Sequence, residues 1–481
     1  MVKITIIGGG AYVFPLVMAR DILTHPALQD ATICLYDIDG RRNNINAAAM
    51  REMVRMFKLP AKVQATTDRA KALADADFCI CTFQVGLIDA YAHDVNIPRQ
   101  YNIDQCVGDT FGPGGIFRGL RSIHALTRIA EDMHELCPDA LFIQYANPMA
   151  MNSWAMTLLD IENIGLCHSV QGTSMMLARE MGLPYDKCSF ISAGINHQAW
   201  FIDFHCNGVD VMPLLRQTML EKHLKGTDRG ERSDALHAGG SERVRTEIMR
   251  LTGYFQTESS AHAGEYLAYF RKNPEMVLDY QPTRWDYFEK CSAHEDQRDR
   301  ARNFLKDAKA GGLAPSVEYG SGIIDSMVTG TIRLVHGSVP NDGLITNLPE
   351  DCSVEVPVFV DREGLRPQVI GELPTACAAI NRLSINQVQL AVEAALTGDR
   401  DMVYAAVAMD PLTSGMLTLP LIRRMVDEMI EAEKKWLPKF TSQTLVTAGA
   451  DQIAKHLKKA LAAEAAPAAG KKATRKAKKA K

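Results

Sequence analysis

No stretch of this 481-residue chain approaches the roughly 18 unbroken apolar residues that a membrane helix needs, which excludes a helical membrane protein. The N-terminus also lacks the charged, apolar and small-residue order of a secretory leader, so a cytoplasmic protein is expected. Its eleven cysteines are odd in number and have no regular spacing, which speaks against a disulfide framework and for reduced thiols. Disordered and fibrous compositions are absent: 47% of residues are hydrophobic and 23% charged, ordinary values for a globular chain. Basic clusters are scarce except at the end, where Lys471, Lys472, Arg475, Lys476, Lys478, Lys479 and Lys481 stand with no acid among them. Since the whole carries a net charge of −4, the body is acidic, which argues against nucleic acid as a specific ligand. The Ala/Lys/Pro tail from about Ala462 cannot bury a core and is expected to be a disordered, solvated appendage.

What is present begins at once. Val2 to Ile7 is an apolar run that reads as a strand; Gly8, Gly9 and Gly10 follow, and Phe14 to Thr24 has a helical pattern. Strand, glycine turn and helix make a junction where a dinucleotide pyrophosphate binds, because bare backbone amides and a helix N-terminus face it. A second strand, Thr32 to Tyr36, ends at Asp37, an acid placed to accept hydrogen bonds from an adenosine ribose. The third position of the usual glycine pattern is Val13. Helical patterns at 46–56, 69–74 and 120–136 then alternate with strand patterns at 63–65, 78–83 and 141–145. This order predicts an α/β fold, a Rossmann-type doubly wound parallel sheet over residues 1–187. Ligands collect at the carboxyl ends of such strands, where Gln84, Asn147 and Cys167 emerge.

The stretch from Gly108 to Gly115 is too rich in glycine to predict regular structure. It reads as a loop that turns tightly or lets backbone approach a ligand, with Asp109 and Arg118 bracketing it. Residues 188–440 predict a second, mixed α+β domain: an alternating stretch at 188–206, a hairpin signal at Asn207-Gly208, and helices at 241–251, 374–396, 401–408 and 419–435. Polar residues 226–240 read as a mobile lid or an interface loop, and 441–481 as an extra helix with the basic tail. Glu258 to Tyr266 is polar between aromatic-rich flanks, either facing a site or forming a surface loop. His262 and Tyr266 would share a face if helical.

Cys167 and His197, thirty residues apart, each fall at the end of a predicted strand. A thiolate and an imidazole together would give a divalent metal two ligands and leave positions open for substrate oxygens. A free cysteine in an apolar strand is also a common core residue, and on these residues alone both readings stand.

Asp109 to Gly115, Asn147-Pro148-Met149-Ala150, Gly165-Leu166-Cys167-His168-Ser169-Val170-Gln171 and Ala193-Gly194-Ile195-Asn196-His197 are long, ordered motifs. In them the sequence resembles glycoside hydrolase family four, most of all its bacterial alpha-galactosidase members. Similarity runs from about Ile4 to Trp436-Leu437-Pro438. The resemblance implies a hydrolase that uses NAD and a divalent metal, usually manganese, on a fold akin to lactate and malate dehydrogenases. It implies oxidation of the sugar at C3 by NAD, loss of the C2 proton, expulsion of the glycosidic oxygen, addition of water, and return of proton and hydride.

By that resemblance Cys167 and His197 hold the metal, Tyr266 matches the base, and Asn147 contacts the substrate. Gly8, Gly9, Gly10, Asp37 and Gln84 are expected along the cofactor. The acid is Asp109 or His168; Asp109 is preferred because His168 can instead bind sugar hydroxyls. Ser169 after Cys-His resembles the galactosidase members, where a Glu would suggest a glucosidase. No Arg or Lys stands beside Cys167, so nothing suggests a phosphorylated sugar. Relatives assemble as dimers or tetramers, and a homo-oligomer acting on a small alpha-glycoside is expected. An alpha-glucosidase or alpha-glycuronidase of the same family, an NADH-releasing dehydrogenase and a non-catalytic NAD sensor are the other readings.

Overall fold

Six strands of the first half follow the alternation of the sequence: β1 (Lys3–Ile7), β2 (Thr32–Tyr36), β3 (Lys62–Thr66), β4 (Phe78–Cys81), β5 (Leu141–Gln144) and β6 (Asn163–Gly165). In this computed structural model, which describes residues 1–227, 232–234, 237–281, 286–294, 296–440 and 450–464, they lie in the order β3-β2-β1-β4-β5-β6. Every pairing among them is parallel. The winding reverses between β1 and β4, which opens a crevice at their carboxyl ends. β4 and β5 are buried at every position, hence their unbroken apolar sequences.

Two local expectations are corrected. The helix after β2 is Gly40–Met56 and starts well before residue 46. Asp39 caps it by accepting from the amides of Arg41 (2.9 Å) and Arg42 (3.2 Å). The polar run Arg41-Arg42-Asn43-Asn44 hides this start, since buried Asn43 spends its amide on the Leu35 and Thr66 carbonyls instead of showing apolar periodicity. Gly112 to Gly115 are likewise not loop but the first turn of the helix Gly112–Leu136. Their glycines serve close approach: a Cβ on Gly114 would stand 2.5 Å from the Gly108 carbonyl oxygen, and one on Gly115 2.5 Å from the Thr110 carbonyl carbon. Only residues 108–111 remain irregular.

The second half supplies β7 (Cys188–Ile195), β8 (Gln198–Cys206), β9 (Val209–Asp210), β10 (Arg232–Asp234), β11 (His237–Gly240), β12 (Phe255–Gln256), β13 (Arg333–Pro340), β14 (Ser353–Asp361) and β15 (Gly364–Pro367). β13 joins β6 antiparallel, and the sheet continues through β14 and β7 to β8 and β12. The mixed region thus extends the sheet of the first half, apart from the β10–β11 pair. One row of paired residues, Gly165, Ser338, Glu355 and Gly194, crosses four strands and sets a fully buried glutamate in the sheet.

Helices at Arg243–Thr252, Thr375–Thr397, Arg400–Met409 and Leu419–Glu433 lie where the periodicity predicts them, and Ala450–Glu464 is the extra helix. A buried Arg121, bidentate to Asp94 and paired with Glu433, ties three of the first half's and last region's helices together. Of the expected lid at 226–240, the described residues include Gly226, Thr227, β10 and β11, while residues 228–231 and 235–236 lie outside them, as does the basic tail. Among the described residues no helix is long and apolar enough to cross a membrane.

Candidate active site

Cys167 follows β6, and His197 closes the tight turn between β7 and β8. The structure brings them together, with Cys167 Sγ 3.3 Å from His197 Nε2. Glu258, just after β12, adds a carboxylate oxygen 3.9 Å from the same nitrogen, and the three donor atoms lie within 4.8 Å of one another. His197 (φ 63°) and Glu258 (φ 69°) both have left-handed backbone, which costs an L-residue roughly 1–2 kcal/mol each. Strain of this kind, held in place by its surroundings, is a mark of functional positions.

The imidazole is oriented by a chain of hydroxyls. Thr110 Oγ1 donates to Asp109 Oδ1 (2.7 Å) and therefore accepts from His197 Nδ1 (3.0 Å), which directs the lone pair of Nε2 at Cys167 and Glu258. Burial lowers the His197 pKa to about 4, so the ring is neutral and ready to ligate. Burial, with Glu258 and Glu355 nearby, pushes the Cys167 thiol well up. The surroundings therefore favour a positive charge at this point, and a sulfur, a nitrogen and an oxygen suit a borderline divalent cation. The donor set fits the metal that the sequence implies.

Tyr266 ends the short buried helix Ser260–Glu265, so the polar stretch at 258–266 is interior and not a surface loop. Its Oη is 3.3 Å from His197 Nδ1. Burial and the acids Glu265, Asp109 and Glu258 hold its phenol well above the ordinary value. Glu265, one residue earlier, accepts from the amides of Val107 (3.0 Å) and Gly108 (2.9 Å), which pins the loop that carries Asp109. Asn147 donates to Asp109 Oδ2 (3.0 Å) while its carbonyl accepts from Arg118 Nε (3.1 Å). Arg118 also donates to Gln84, and its Nη1 is buried without a hydrogen-bond partner among the described residues.

Asp109 as proton donor is not supported by this setting. Burial raises its pKa, but Arg118, His262, His197 and the Asn147 hydrogen bond outweigh that and hold the carboxyl below its usual range. His168 is the opposite case: burial lowers it, and the Glu318 carboxylate at 3.0 Å more than reverses this, so its pKa is raised.

At the other end of the crevice, the three glycines are placed as expected but their amides are not bare. Gly8 and Gly9 donate to the Tyr36 carbonyl (2.9 and 2.8 Å), and Gly10 donates to Asp37 Oδ2 (2.8 Å). A Cβ on Gly8 would stand 2.6 Å from the Phe83 amide nitrogen, so this glycine lets the loop lie against the end of β4. The donors that remain belong to the first turn of the helix Phe14–Thr24. Asp37 keeps its place at the end of β2 beside them, and together these features fit a dinucleotide.

Glu258 and Glu355 escaped the sequence reading as site residues. Glu258 sits in a stretch whose polarity was visible, but its place beside Cys167 and His197 depends on a backbone bend that no local pattern announces. Glu355 lies in an apolar strand, and only the pairing across four strands places it beneath the cluster.

Residues 3–183 match the family described as family 4 glycosyl hydrolase, and residues 192–413 match the family 4 glycosyl hydrolase C-terminal domain. The chain is 36% identical to an alpha-galactosidase of Rhizobium meliloti over 91% of its own length and 89% of that protein's. It is 36% identical to an alpha-galactosidase of Bacillus subtilis over 92% of its length and all of the relative. Among solved structures, a 6-phospho-alpha-glucosidase from gut microorganisms in complex with NAD and Mn2+ superposes with a TM-score of 0.76 at 18% identity, over 92% of this chain and 100% of the other, a likeness of fold. Two consecutive family domains over most of the sequence, on the crevice just described, establish that the chain belongs to the family 4 glycosyl hydrolases.

Proposed function

We propose that the protein hydrolyses alpha-galactosides, with NAD and a divalent cation, manganese in the first place, as resident partners. The observation that carries this reading is the convergence of Cys167, His197 and Glu258 beside Tyr266, at the same crevice as the glycine loop. When bound, the two groups supply a hydride acceptor for the sugar C3 and an electrophile for its C2 and C3 oxygens. Gly8, Gly9, Gly10 and Asp37 shape the cofactor loop, and Gln84 acts through Arg118 at the end of β4.

Tyr266 takes the proton from C2, and its raised phenol means that it keeps a proton until positive charge arrives next to His197. Asn147 and Asp109, joined by their hydrogen bond, present an oriented amide and an ionised carboxylate to the sugar hydroxyls. His168, held by Glu318, supplies the proton to the departing glycosidic oxygen. With Asp109, Glu258 and Glu318 around it, the site favours a neutral sugar over an anionic one.

The test is hydrolysis of p-nitrophenyl alpha-galactoside and alpha-glucoside, with NAD and manganese supplied together, singly and not at all, under reducing conditions. Turnover of the galactoside that needs both supports the proposal. Preference for the glucoside, or for an alpha-galacturonide in a parallel assay, would reassign the substrate. Turnover indifferent to NAD and to chelator would overturn the site, and accumulation of NADH would make the protein a dehydrogenase. Assembly as a homo-oligomer in the cytoplasm completes the proposal; sedimentation and cell fractionation test it.

A further inference from the structure

A second set of residues, from far along the chain, closes on the dinucleotide loop. The helix Gln297–Gly311 lies against the helix Gly40–Met56, and its first turns reach the glycines. Gln297 Nε2 donates to the Gly10 carbonyl (3.0 Å) and to Asn46 Oδ1 (3.2 Å), while its Oε1 accepts from Arg42 Nε (3.0 Å). Asn46 in turn donates to the carbonyls of Gly9 (2.8 Å) and Ala11 (3.0 Å). Arg300 Nε donates to the Tyr12 carbonyl (2.6 Å), with its guanidinium 4.7 Å from the centre of the Tyr12 ring. His294 stacks on that ring at 4.2 Å and 7°. Side chains thus hold the carbonyls from Gly9 to Tyr12.

This matters because the loop itself is poor in donors. The amides of Gly8, Gly9 and Gly10 are spent as described, and Ala11 donates to the Gly8 carbonyl. Pro15 removes another N–H from the first turn of the following helix, and that turn carries no cationic side chain. A pyrophosphate with two negative charges would meet a helix dipole worth about half an elementary charge and few amides. Arg300 is a half-buried cation beside that turn, and among the described residues no carboxylate pairs with it. Its terminal nitrogens make no hydrogen bond among those residues.

We propose that Arg300 is a dinucleotide-binding residue, donating its terminal nitrogens to the pyrophosphate of the cofactor, and that Gln297 and His294 position it by fixing the loop from the same side. The inference rests on the NAD reading above and deepens it, since the charge that the strand, glycine and helix unit lacks comes from outside that unit. A guanidinium suits the task, as it meets phosphate oxygens with paired, charge-assisted hydrogen bonds.

Calorimetric titration of the full chain with NAD, ADP and adenosine, without metal, tests this. Wild-type protein that binds neither NAD nor ADP would overturn the dinucleotide reading and this inference with it. If it binds them, Arg300→Met is expected to weaken NAD and ADP by about ten- to a hundredfold while adenosine, which has no phosphate, binds as before. Arg300→Lys should recover part of the loss, and Arg298→Met, two residues earlier and exposed, should change nothing. Unchanged NAD affinity in Arg300→Met, or an equal loss for adenosine and ADP, would reject the assignment, the second result marking Arg300 as a support of the fold.

Discussion

At one end of the crevice the loop from Gly8 to Tyr12 is tied at nearly every amide and carbonyl to the rest of the protein; at the other, Cys167, His197 and Glu258 turn three donor atoms toward one another. The first loop is shaped by its own hydrogen bonds and needs no ligand to hold its form. The second is held by buried surroundings in a strained backbone, where burial pushes the Cys167 thiol up and keeps the His197 imidazole neutral, so that its donor atoms suit a cation. The difference teaches that cofactor and metal should respond separately to mutation, one through shape and the other through charge.

Losing a donor should give the largest effect. His197→Ala is expected to reduce manganese affinity beyond detection and hydrolysis by more than about a thousandfold, while calorimetry shows NAD still binding. Loss of NAD binding too would break the separation. Next comes Thr110→Val, which leaves the ligands in place but removes the acceptor that fixes the His197 tautomer. Metal affinity should fall by about ten- to a hundredfold, read by titration with cobalt as a spectroscopic probe. On the shape side, Gly8→Ala forces a Cβ into the Phe83 backbone at a φ of 92°. Destabilisation of about 2 kcal/mol or more is expected in urea unfolding, with NAD binding weakened and the metal cluster spared in the protein that remains folded.

The remaining effect concerns Glu355 and is confined to pH dependence. Burial pushes its pKa up to about 8 from the usual 4.5; Asn196 lowers it, though neither carboxylate oxygen makes a well-formed hydrogen bond among the described residues. A raised carboxyl pKa in the native state gives stability that is full below pH 4.5 and is lost as the pH rises through 8. Metal-free wild type should therefore lose stability between those values through this group. Glu355→Gln should flatten that slope; urea midpoints at pH 5 and pH 8.5 provide the comparison, and an unchanged slope would show that another group titrates there.

How much of this was legible in the sequence follows the same division. The parallel half could be read because β4 and β5 are short apolar runs between helical periods, and because glycines and Asp37 mark the ends of β1 and β2. Cys167, His197 and Tyr266 were legible as motif positions. The resemblance implied that they meet, but the residues alone left this open, since the meeting depends on β13 and β14 entering the sheet between β6 and β7, pairings far apart in sequence. Gly112 to Gly115 misled because glycine enrichment signals loops in general, whereas here it lets residues 108–110 lie on a helix. Nothing in the local pattern singles out Arg300; its meaning comes from its neighbour Tyr12, far away in the sequence.

The carboxylate of Glu265 couples two errors. Glu265 precedes Tyr266 in the chain, and the amides it holds precede Asp109. Any displacement of this short buried helix carries the phenol and the aspartate together, so their separation varies less than the position of either. Random substitutions in this region should then alter where the sugar sits more readily than how the two groups face each other, and a shifted pair can still serve a shifted substrate. A family that accepts many glycosides could draw on such correlated tolerance, with one acid acting as the common reference for both side chains.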